Sequence, residues 1–277
     1  MIVAVTGAGG LVGRRVCAEL AAAGHSVRRL TRTPSGPDDR RFVLGDEITP
    51  GTLDGCGALI HAAHDFTVLG WDAMMKVNVE GSFKLLAAAT AAKVGRVVFV
   101  STVSAFKGCR SDYGRGKLLV EELVLRTGGI VVRPGLVYGG AGGFYGALSK
   151  MTASPVLPVF DDGLQVLQLV HNDEVARDLV AALTWDPAVA AGPVTLANPE
   201  PVTFVRLLRS LARARGKDLR TVSVPSGLAL AGLRTLEALR LPLRFRSDSL
   251  VSLLNSNPSY DYTAHKRLGV SYRPYPG

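Results

Sequence analysis

The chain is poor in cysteine and in aromatic residues, and it has no long apolar run free of charge. Its 277 residues include 3 cysteines, Cys17, Cys56 and Cys109, and 6% aromatic residues. The cysteine spacing matches neither a disulfide framework nor a Cys-x-x-Cys metal site, so we expect a reducing compartment and no metal. Four charged residues interrupt the most apolar late stretch, residues 226–245: Arg234, Glu237, Arg240 and Arg244. A membrane span needs about 20 nearly uncharged residues, so this stretch predicts a packed or amphipathic helix and no membrane partner.

A basic leader is absent as well. The chain opens Met1-Ile-Val-Ala-Val-Thr6 and reaches glycine at position 7, which predicts a first strand rather than a signal peptide, and a cytoplasmic protein. The net charge is +9, but the arginines are scattered, with no basic run and no interleaved aromatic residues. We therefore expect no nucleic-acid partner and a small, phosphorylated molecule as substrate.

Apolar runs rich in Val, Ile and Leu alternate with longer helical patterns in the first half of the chain. The strands predicted in this way are Ile2–Thr6, Ser26–Thr31, Arg41–Leu44, Ala58–His61, Arg96–Ser101 and Ile130–Arg133. The helices predicted between them are Leu11–Ala23, Trp71–Ala92 and Tyr113–Thr127. This order predicts an α/β fold with a doubly wound parallel sheet of the Rossmann type.

The alternation weakens beyond Tyr138. Glycines at 139, 140, 142 and 143 predict a loop, and irregular sequence with Pro155 and Pro158 follows. Farther on we expect a helix over Leu169–Leu183, a strand over Val194–Ala197 and a helix over Thr203–Ala214. We assign residues 1–138 and part of 164–197 to the Rossmann domain, and residues 139–163 and 198–277 to a smaller C-terminal α/β substrate lobe.

A glycine-rich turn, Thr6-Gly-Ala-Gly-Gly-Leu-Val-Gly13, joins the first strand to the first helix. A strand, turn and helix in this order present backbone N–H groups and the positive end of the helix to an anion, here a dinucleotide pyrophosphate. Gly7 would allow the sharp turn, Gly10 the close approach of the pyrophosphate, and Gly13 the packing of helix on strand. Leu11 and Val12 complete the predicted binding turn.

The acidic residue that selects NAD is missing about 20 residues after this turn, where the second strand ends Leu30-Thr31-Arg32. A guanidinium at this place can pair with the 2′-phosphate of NADP, which a carboxylate would repel. Thr31 and Arg32 therefore favour NADP, while NAD stays possible because a solvated surface arginine is the alternative interpretation of Arg32.

A second group of residues predicts acid–base chemistry. The strand Arg96–Ser101 ends on two hydroxyls, Ser101 and Thr102, and Tyr113 and Lys117 lie four residues apart on one helix face. A tyrosine needs a pKa about three units below its usual 10 to act as a base near neutrality, and Lys117 with a nicotinamide ring can supply much of that. Thr102 would position the reacting oxygen. A second Tyr-x-x-x-Lys, residues 262–266, follows no such strand and predicts a surface helix.

With these motifs in order, the chain resembles the extended short-chain dehydrogenase/reductases, the NAD-dependent epimerase/dehydratase family. Further matching segments are Leu59-Ile-His-Ala-Ala63, Asn78-Val-Glu-Gly-Ser82, Arg133-Pro-Gly-Leu-Val-Tyr-Gly139, Val170-His-Asn-Asp-Glu-Val-Ala176, Pro199-Glu-Pro-Val-Thr203 and Arg267-Leu-Gly-Val270. The resemblance implies catalytic roles for Thr102, Tyr113 and Lys117, with Asn78 supporting the active-site helix and the proton relay. The cofactor contacts that it implies are Gly7, Gly10, Leu11, Gly13, Asp46 at the adenine, Ala62, Ala63, Lys117, and Pro134 to Val137 near the nicotinamide.

The chain departs from the family pattern at several positions. Thr102 stands where serine is usual, which leaves Ser101 and Ser104 as alternative hydroxyls. The interval from Thr102 to Tyr113 is short and lacks an acidic pair, which counts against dehydration. His64 replaces a small residue beside the predicted cleft, where it either is structural or tunes the substrate chemistry.

Three functions follow from the sequence. The first is an NAD(P)-dependent oxidoreductase or epimerase of a nucleotide-activated sugar. The second is an NADPH-dependent carbonyl reductase of a non-sugar ketone or aldehyde, which Arg32 and the short loop favour. The third is a non-catalytic NAD(P)-binding sensor or assembly factor, for which Tyr113 and Lys117 have no physical use. The resemblance also implies a possible homodimer that pairs through Trp71–Ala92 and Tyr113–Thr127.

Overall fold

The computed structural model describes residues 1–241, 243, 245–257 and 259–277. Its strands are β1 Ile2–Thr6, β2 Ser26–Thr31, β3 Arg40–Arg41, β4 Cys56–His61, β5 Arg96–Val100, β6 Ile130–Pro134, β7 Leu136–Tyr138, β8 Val156–Phe160, β9 Val166–Leu167, β10 Leu169–His171, β11 Val194–Leu196, β12 Val202–Thr203 and β13 Arg220–Val224. Within the described residues, seven of them form one parallel sheet in the order β11-β6-β5-β4-β1-β2-β3. Three two-stranded sheets pair β7 with β10, β9 with β12 and β8 with β13.

Ten α-helices accompany these strands in the described part of the chain. They are α1 Leu11–Ala22, α2 Trp71–Ala73, α3 Glu80–Ala91, α4 Asp112–Arg126, α5 Gly143–Met151, α6 Asn172–Ala181, α7 Phe204–Arg213, α8 Ser226–Ala238, α9 Ser247–Leu254 and α10 Thr263–Leu268. A π-helical segment, Met74–Val79, joins α2 to α3, and a 3₁₀ turn covers Asp161–Gly163. Side chains of α1 and α6 form one apolar core with the large sheet, and those of α3 and α4 form two others.

The sheet order reverses between β1 and β4, which confirms the predicted doubly wound α/β fold. Most predicted strands and helices of the first half agree with the structure to within two residues. The strand predicted over Arg41–Leu44 is wrong in extent, since β3 covers only Arg40–Arg41. The chain turns away there, and the Asp46 N–H bonds the Val43 carbonyl.

The helix predicted over Leu169–Leu183 is also wrong in part. Its first three residues form β10, which pairs in parallel with β7, and Val170 is fully buried. The helix α6 begins only after His171, whose ring accepts the Asp173 N–H while the Glu174 carboxylate accepts the His171 N–H. This reciprocal cap ends the strand and starts the helix, which periodicity alone does not reveal.

The region after Tyr138 is more regular than predicted. The glycine loop leads into α5, and the stretch with Pro155 and Pro158 contains β8. Pro158 is tolerated because β8 has a single partner strand, β13, so one of its edges needs no N–H donors. Tyr138, Leu148, Leu207 and Phe245 belong to a separate apolar core in this region.

The apolar stretch from Ser226 forms α8, which ends at Ala238; Pro242 and Arg244, within the same stretch, lie outside the described residues. The sequence predicted a packed or amphipathic helix. On one side of α8, Ala229, Leu230 and Leu233 are partly buried against the apolar core that contains Tyr138 and Phe245, although no residue of the helix is fully buried. The sequence also suggested scattered arginines, whereas basic side chains concentrate on the surface of residues 206–220. No helix in the described ranges is long and apolar enough to cross a membrane.

Candidate functional site

The glycine turn forms an open cradle at the start of α1. Gly7 has φ +66°, and a Cβ there would lie 3.0 Å from the backbone of Ala62 and Ala63. A Cβ at Gly13 would overlap the Gly7 carbonyl, which in turn accepts the Gly10 N–H at 2.8 Å. Gly10 is the N-cap and gives α1 no side-chain cap, so its first N–H groups remain available to an anion. The turn therefore fits a dinucleotide pyrophosphate.

A buried chain of hydrogen bonds attaches the turn to β4. The Thr6 hydroxyl accepts the N–H groups of Ala62 and Ala63 at 3.1 Å each, which leaves its own hydrogen for His61 Nδ1 at 2.7 Å. His61 Nε2 then faces the Ser82 hydroxyl at 2.9 Å. Burial lowers the pKa of His61 to about 3, so the ring is neutral and bonds at both nitrogens. This chain fixes the position of Ala62 and Ala63 against the glycine turn.

The end of β2 presents a cation and no free carboxylate. Arg32 is exposed and makes no ion pair with another described residue. Asp39, in the following loop, is buried. Its carboxylate accepts hydrogen bonds from Arg29 at 2.8 Å and from the N–H groups of Ser35 and Gly36 at 2.9 Å each, and these bonds turn it away from the end of β2. The Arg29 guanidinium lowers the pKa of Asp39 to about 2. The Thr31 hydroxyl is buried and has no hydrogen-bond partner within the described chain.

Two further predicted cofactor segments lie in the loop after β3 and across the junction of β6 and β7. Asp46 is half exposed and pairs with Arg41 at 3.4 Å. Its loop is held by α3, where a Cβ on Gly81 would lie 2.5 Å from the Gly45 nitrogen. Pro134 ends β6, and its carbonyl accepts the N–H of Val103 at 3.1 Å. This bond ties the predicted nicotinamide segment, residues 134–137, to the strand end that carries Thr102.

Thr102, Tyr113 and Lys117 come together at the carboxyl edge of the sheet. Thr102 is buried just beyond β5, and its hydroxyl lies near enough to the Tyr113 phenol to affect the pKa of that phenol. Lys117, one helical turn after Tyr113 on α4, is also buried. Its ammonium donates to the Val100 carbonyl at 2.8 Å and lies 4.6 Å from the centre of the Phe99 ring.

Burial shifts both titratable groups away from their charged forms. It raises the pKa of Tyr113 to about 12, which the nearby Thr102 hydroxyl partly opposes. It lowers the pKa of Lys117 to about 7, which the Glu121 carboxylate partly opposes. In the protein without cofactor the phenol is thus a proton donor at neutral pH, whereas the sequence led us to expect a lowered pKa.

Asn78 lies in the π-helical segment, a kind of irregularity frequent at functional sites. Its Oδ1 accepts the Asp65 N–H at 2.7 Å and its Nδ2 donates to the Asp65 carbonyl at 3.1 Å. Asn78, Ser82 and Lys117 also line a cavity of about 10 Å³. That volume is close to what one water molecule needs, so a water there could connect Asn78 to Lys117.

The loop that Asn78 holds places two aromatic rings against Tyr113. The His64 and Tyr113 ring centres lie 4.9 Å apart, those of Phe66 and Tyr113 5.5 Å, and those of His64 and Phe66 4.5 Å. Burial and then the Lys117 ammonium hold the pKa of His64 well below its usual range, so this ring is neutral. Phe66 is 65% exposed, and it completes an apolar, uncharged wall beside the phenol.

The alternative hydroxyl Ser101 is already used by other residues. Its Oγ donates to Glu121, a buried carboxylate four residues after Lys117. Arg133 also binds Glu121 through two hydrogen bonds, at 2.8 and 2.6 Å. Ser104 remains near Thr102, since its N–H donates to the Thr102 hydroxyl at 3.2 Å.

The start of α4 is held by a residue that sequence reasoning missed. The Asp248 carboxylate, from α9, accepts the N–H groups of Asp112 at 2.7 Å and Tyr113 at 3.1 Å. Ser111 caps the same end by accepting the Gly114 N–H at 3.1 Å. Gly114 was missed too: a Cβ there would overlap the Ser104 carbonyl. Asp248 is 135 residues from Tyr113, so no pattern in the neighbouring sequence predicts this contact.

The glycine turn at the start of α1, together with Thr102, Tyr113 and Lys117 at the carboxyl edge of the sheet, forms the candidate site. The model of the NAD dependent epimerase/dehydratase family matches residues 3–194. The chain belongs to this family of enzymes, which confirms the resemblance seen in the sequence.

Relatives in bacteria extend the comparison. An uncharacterized protein of Mycobacterium tuberculosis is 31% identical over 220 residues, which make up 77% of this chain but 23% of that protein. The chain therefore spans about a quarter of the length of this relative. The ceramide reductase of Caulobacter vibrioides is 30% identical over 244 residues, 83% of this chain and 76% of that enzyme.

Solved structures share the fold. MoeE5 in complex with UDP-glucuronic acid and NAD superposes with a TM-score of 0.74 and 20% sequence identity, over 99% of this chain and 95% of that chain. UDP-glucose 4-epimerase of Thermotoga maritima, with UDP-glucose, gives a TM-score of 0.69 at 22% identity, over 81% and 86%. At this level of identity the likeness concerns the fold.

Proposed function

We propose that the protein is an NADPH-dependent reductase of a non-sugar ketone or aldehyde. The observation that carries this proposal is the protonated Tyr113 phenol set against the neutral rings of His64 and Phe66. A neutral phenol suits the reductive direction, in which the carbonyl oxygen must gain a proton. The apolar wall suits a carbonyl with an apolar substituent.

Thr102, Tyr113, Lys117 and Asn78 would each have a different role in the reduction. Thr102 would hold the carbonyl oxygen by a hydrogen bond and place it beside Tyr113. As negative charge develops on that oxygen, the Tyr113 phenol donates its proton to it and leaves an alcohol product. The reduced cofactor, when bound, supplies the hydride that the carbonyl carbon receives. Lys117 and Asn78, connected through the small cavity, would return a proton from solvent to the phenolate.

NADPH is the preferred form of the cofactor in this proposal. Arg32 is exposed and makes no ion pair within the described residues, and it follows the strand end where the adenosine ribose would lie. The carboxylate of Asp39, the nearby acidic side chain, is already bound by Arg29. A guanidinium without a competing carboxylate favours the additional 2′-phosphate.

A second candidate is an oxidoreductase or epimerase of a nucleotide-activated sugar. Arg246 favours it: one guanidinium nitrogen, Nη1, is buried without a hydrogen-bond partner in the described part of the chain. Arg246 immediately precedes α9, whose Asp248 reaches Tyr113. A diphosphate could bind such a guanidinium. In epimerisation the cofactor is regenerated in each cycle, so no net oxidation accompanies turnover.

The deciding experiment follows cofactor and product together. The purified protein is incubated with NADPH or NADH and, separately, an aryl ketone, a long-chain 3-oxo ester and UDP-glucose. The proposal predicts one NADPH oxidised for each alcohol formed from a ketone. Conversion of UDP-glucose without net cofactor oxidation would favour the sugar enzyme. Cofactor binding with no turnover of any substrate would favour a non-catalytic sensor.

A homodimer formed through α3 and α4 is a further proposal. Both helices cover one side of the large sheet, and α4 exposes Glu122 and Arg126. Light scattering tests it directly: we expect twice the mass of one chain, and a monomeric mass would contradict it.

A further inference from the structure

Helix α8 turns an apolar face towards the solvent. Its inward residues Ala229, Leu230 and Leu233 pack against the C-terminal core. On the opposite side Leu228 is 69% and Leu239 65% exposed, and they lie in line because they are three helical turns apart. A surface helix normally presents polar residues on this side, whereas α8 is apolar on both sides.

The apolar surface extends beyond the helix. Leu241, just after α8, is 48% exposed, and Val222 on β13, just before it, is 54% exposed. Leu164 is exposed next to the 3₁₀ turn, which is attached to the start of α8 where the Ser226 N–H donates to Asp161 at 3.0 Å. We call this surface the apolar face; it consists of Leu164, Val222, Leu228, Leu236, Leu239 and Leu241. An exposed apolar surface of this kind marks an interaction site.

The same lobe carries a strongly basic surface. The exposed basic residues of α7 and the segment after it form what we call the basic ridge: Arg206, Arg209, Arg213, Arg215, Lys217 and Arg220. None of them makes an ion pair with a described residue. Residues 204–240 hold eight basic and two acidic residues, which accounts for 6 of the net +9 charges. The Arg209 guanidinium reaches the Thr221 hydroxyl at 3.5 Å, so the ridge is attached to β13, the strand that also carries the exposed Val222.

We propose that this lobe docks on an anionic lipid surface through the apolar face and the basic ridge. Leucine side chains enter the boundary between headgroups and acyl chains, and the flanking arginines pair with anionic headgroups. Helix α8 has 13 residues, whereas a transmembrane helix requires about 20. It would therefore lie in the plane of the lipid surface.

The charge and the apolar side chains together distinguish a lipid surface from other partners. A nucleic acid would satisfy the basic ridge but leave Leu228 and Leu239 in water. A second copy of the chain would cover the leucines but bring two basic ridges together, where like charges repel. An anionic membrane offers both complementary surfaces at once.

Helix α8 is linked to the candidate active site on the side opposite its exposed leucines. Glu237 on α8 accepts the Ser247 N–H at 2.8 Å, and the next residue, Asp248, holds the N–H of Tyr113. Docking would thus bring the enzyme to a source of lipid-soluble carbonyls. This last point rests on the proposed function, whereas the docking itself does not.

The test is flotation of the full chain with vesicles. Phosphatidylcholine vesicles with and without phosphatidylglycerol are compared for the wild type, Leu228→Glu/Leu239→Glu and Arg209→Glu/Arg213→Glu. The matched control is Leu69→Glu/Lys93→Glu, which changes an exposed leucine and an exposed lysine outside this lobe. We expect the wild type and the control to bind the anionic vesicles. Binding should be at least about tenfold weaker in both lobe variants, and at least about tenfold weaker at high salt.

Several results would overturn the proposal. These are no binding of the wild type to anionic vesicles, or equal binding of all variants. Dissociation of a dimer by Leu228→Glu/Leu239→Glu, seen by light scattering without any vesicle binding, would instead assign the face to self-association. Tighter binding of a duplex oligonucleotide than of vesicles, insensitive to the leucine changes, would assign the ridge to nucleic acid. Thermal unfolding verifies that each variant folds, and the arginine variant keeps the test valid if the leucine variant does not.

Discussion

Asp248 is predicted to fix the catalytic helix from the far end of the chain. Its carboxylate accepts two N–H groups at the start of α4, including that of Tyr113. Capping interactions are worth about 0.5–2 kcal/mol each. Burial raises the pKa of Asp248, which shows a desolvation cost that offsets part of this gain. We therefore expect Asp248→Ala to lower the free energy of unfolding by about 2 kcal/mol.

For a chain of this size such a loss corresponds to a Tm lower by about 4–8 °C. Turnover should fall at least about tenfold as well, because a displacement of about 1 Å at a reacting group can cost 10²-fold. Asp248→Asn keeps one acceptor oxygen and should lie between the wild type and the alanine variant. The assays are calorimetry and steady-state reduction of the best ketone.

The matched control is Glu122→Ala, on the exposed side of the same helix, where an ion pair at 3.9 Å contributes little. It should change the free energy of unfolding by less than about 0.5 kcal/mol. The reasoning is refuted if Asp248→Ala unfolds at the wild-type temperature, or no lower than Glu122→Ala.

The remaining predictions concern the cofactor. Arg32→Ala should weaken NADPH binding at least about tenfold and leave NADH unchanged, measured by titration; equal losses would remove the phosphate role. The kcat/KM for NADPH should fall above about pH 7, because burial lowers the pKa of Lys117 to about 7 and its positive charge is lost above that pH. A flat profile to about pH 9 would contradict this. Gly13→Ala should destabilise the fold by about 1–3 kcal/mol and weaken NADPH binding, since its Cβ meets the Gly7 carbonyl. Gly192→Ala, which lies outside the turn and has open space around it, is the control and should change neither.

Local patterns made the first half of the fold predictable. The glycine turn, β1 and α1 are adjacent in sequence, and the spacing of Tyr113 and Lys117 follows from one helical turn. Parallel strands buried on both faces are apolar throughout, so their positions appear in composition alone. These features do not depend on distant residues.

Long-range contacts and neighbours on the surface were not predictable in the same way. Asp248 reaches Tyr113 across 135 residues, and Phe66 meets it only because Asn78 holds the intervening loop. The short strand β10 interrupts a helical pattern because it finds a partner in β7. The exposure of α8 cannot be predicted from its sequence, since a leucine-rich helix has the same residue pattern whether or not another molecule covers its outer face.

The most direct test of the proposed chemistry is Tyr113→Phe. The variant keeps the ring that packs on His64 and Phe66 but removes the hydroxyl that donates the proton. NADPH binding should stay within about twofold of the wild type, while a single turnover of the best ketone should slow at least about 10²-fold. Unchanged turnover with intact cofactor binding would show that Tyr113 is not the proton donor.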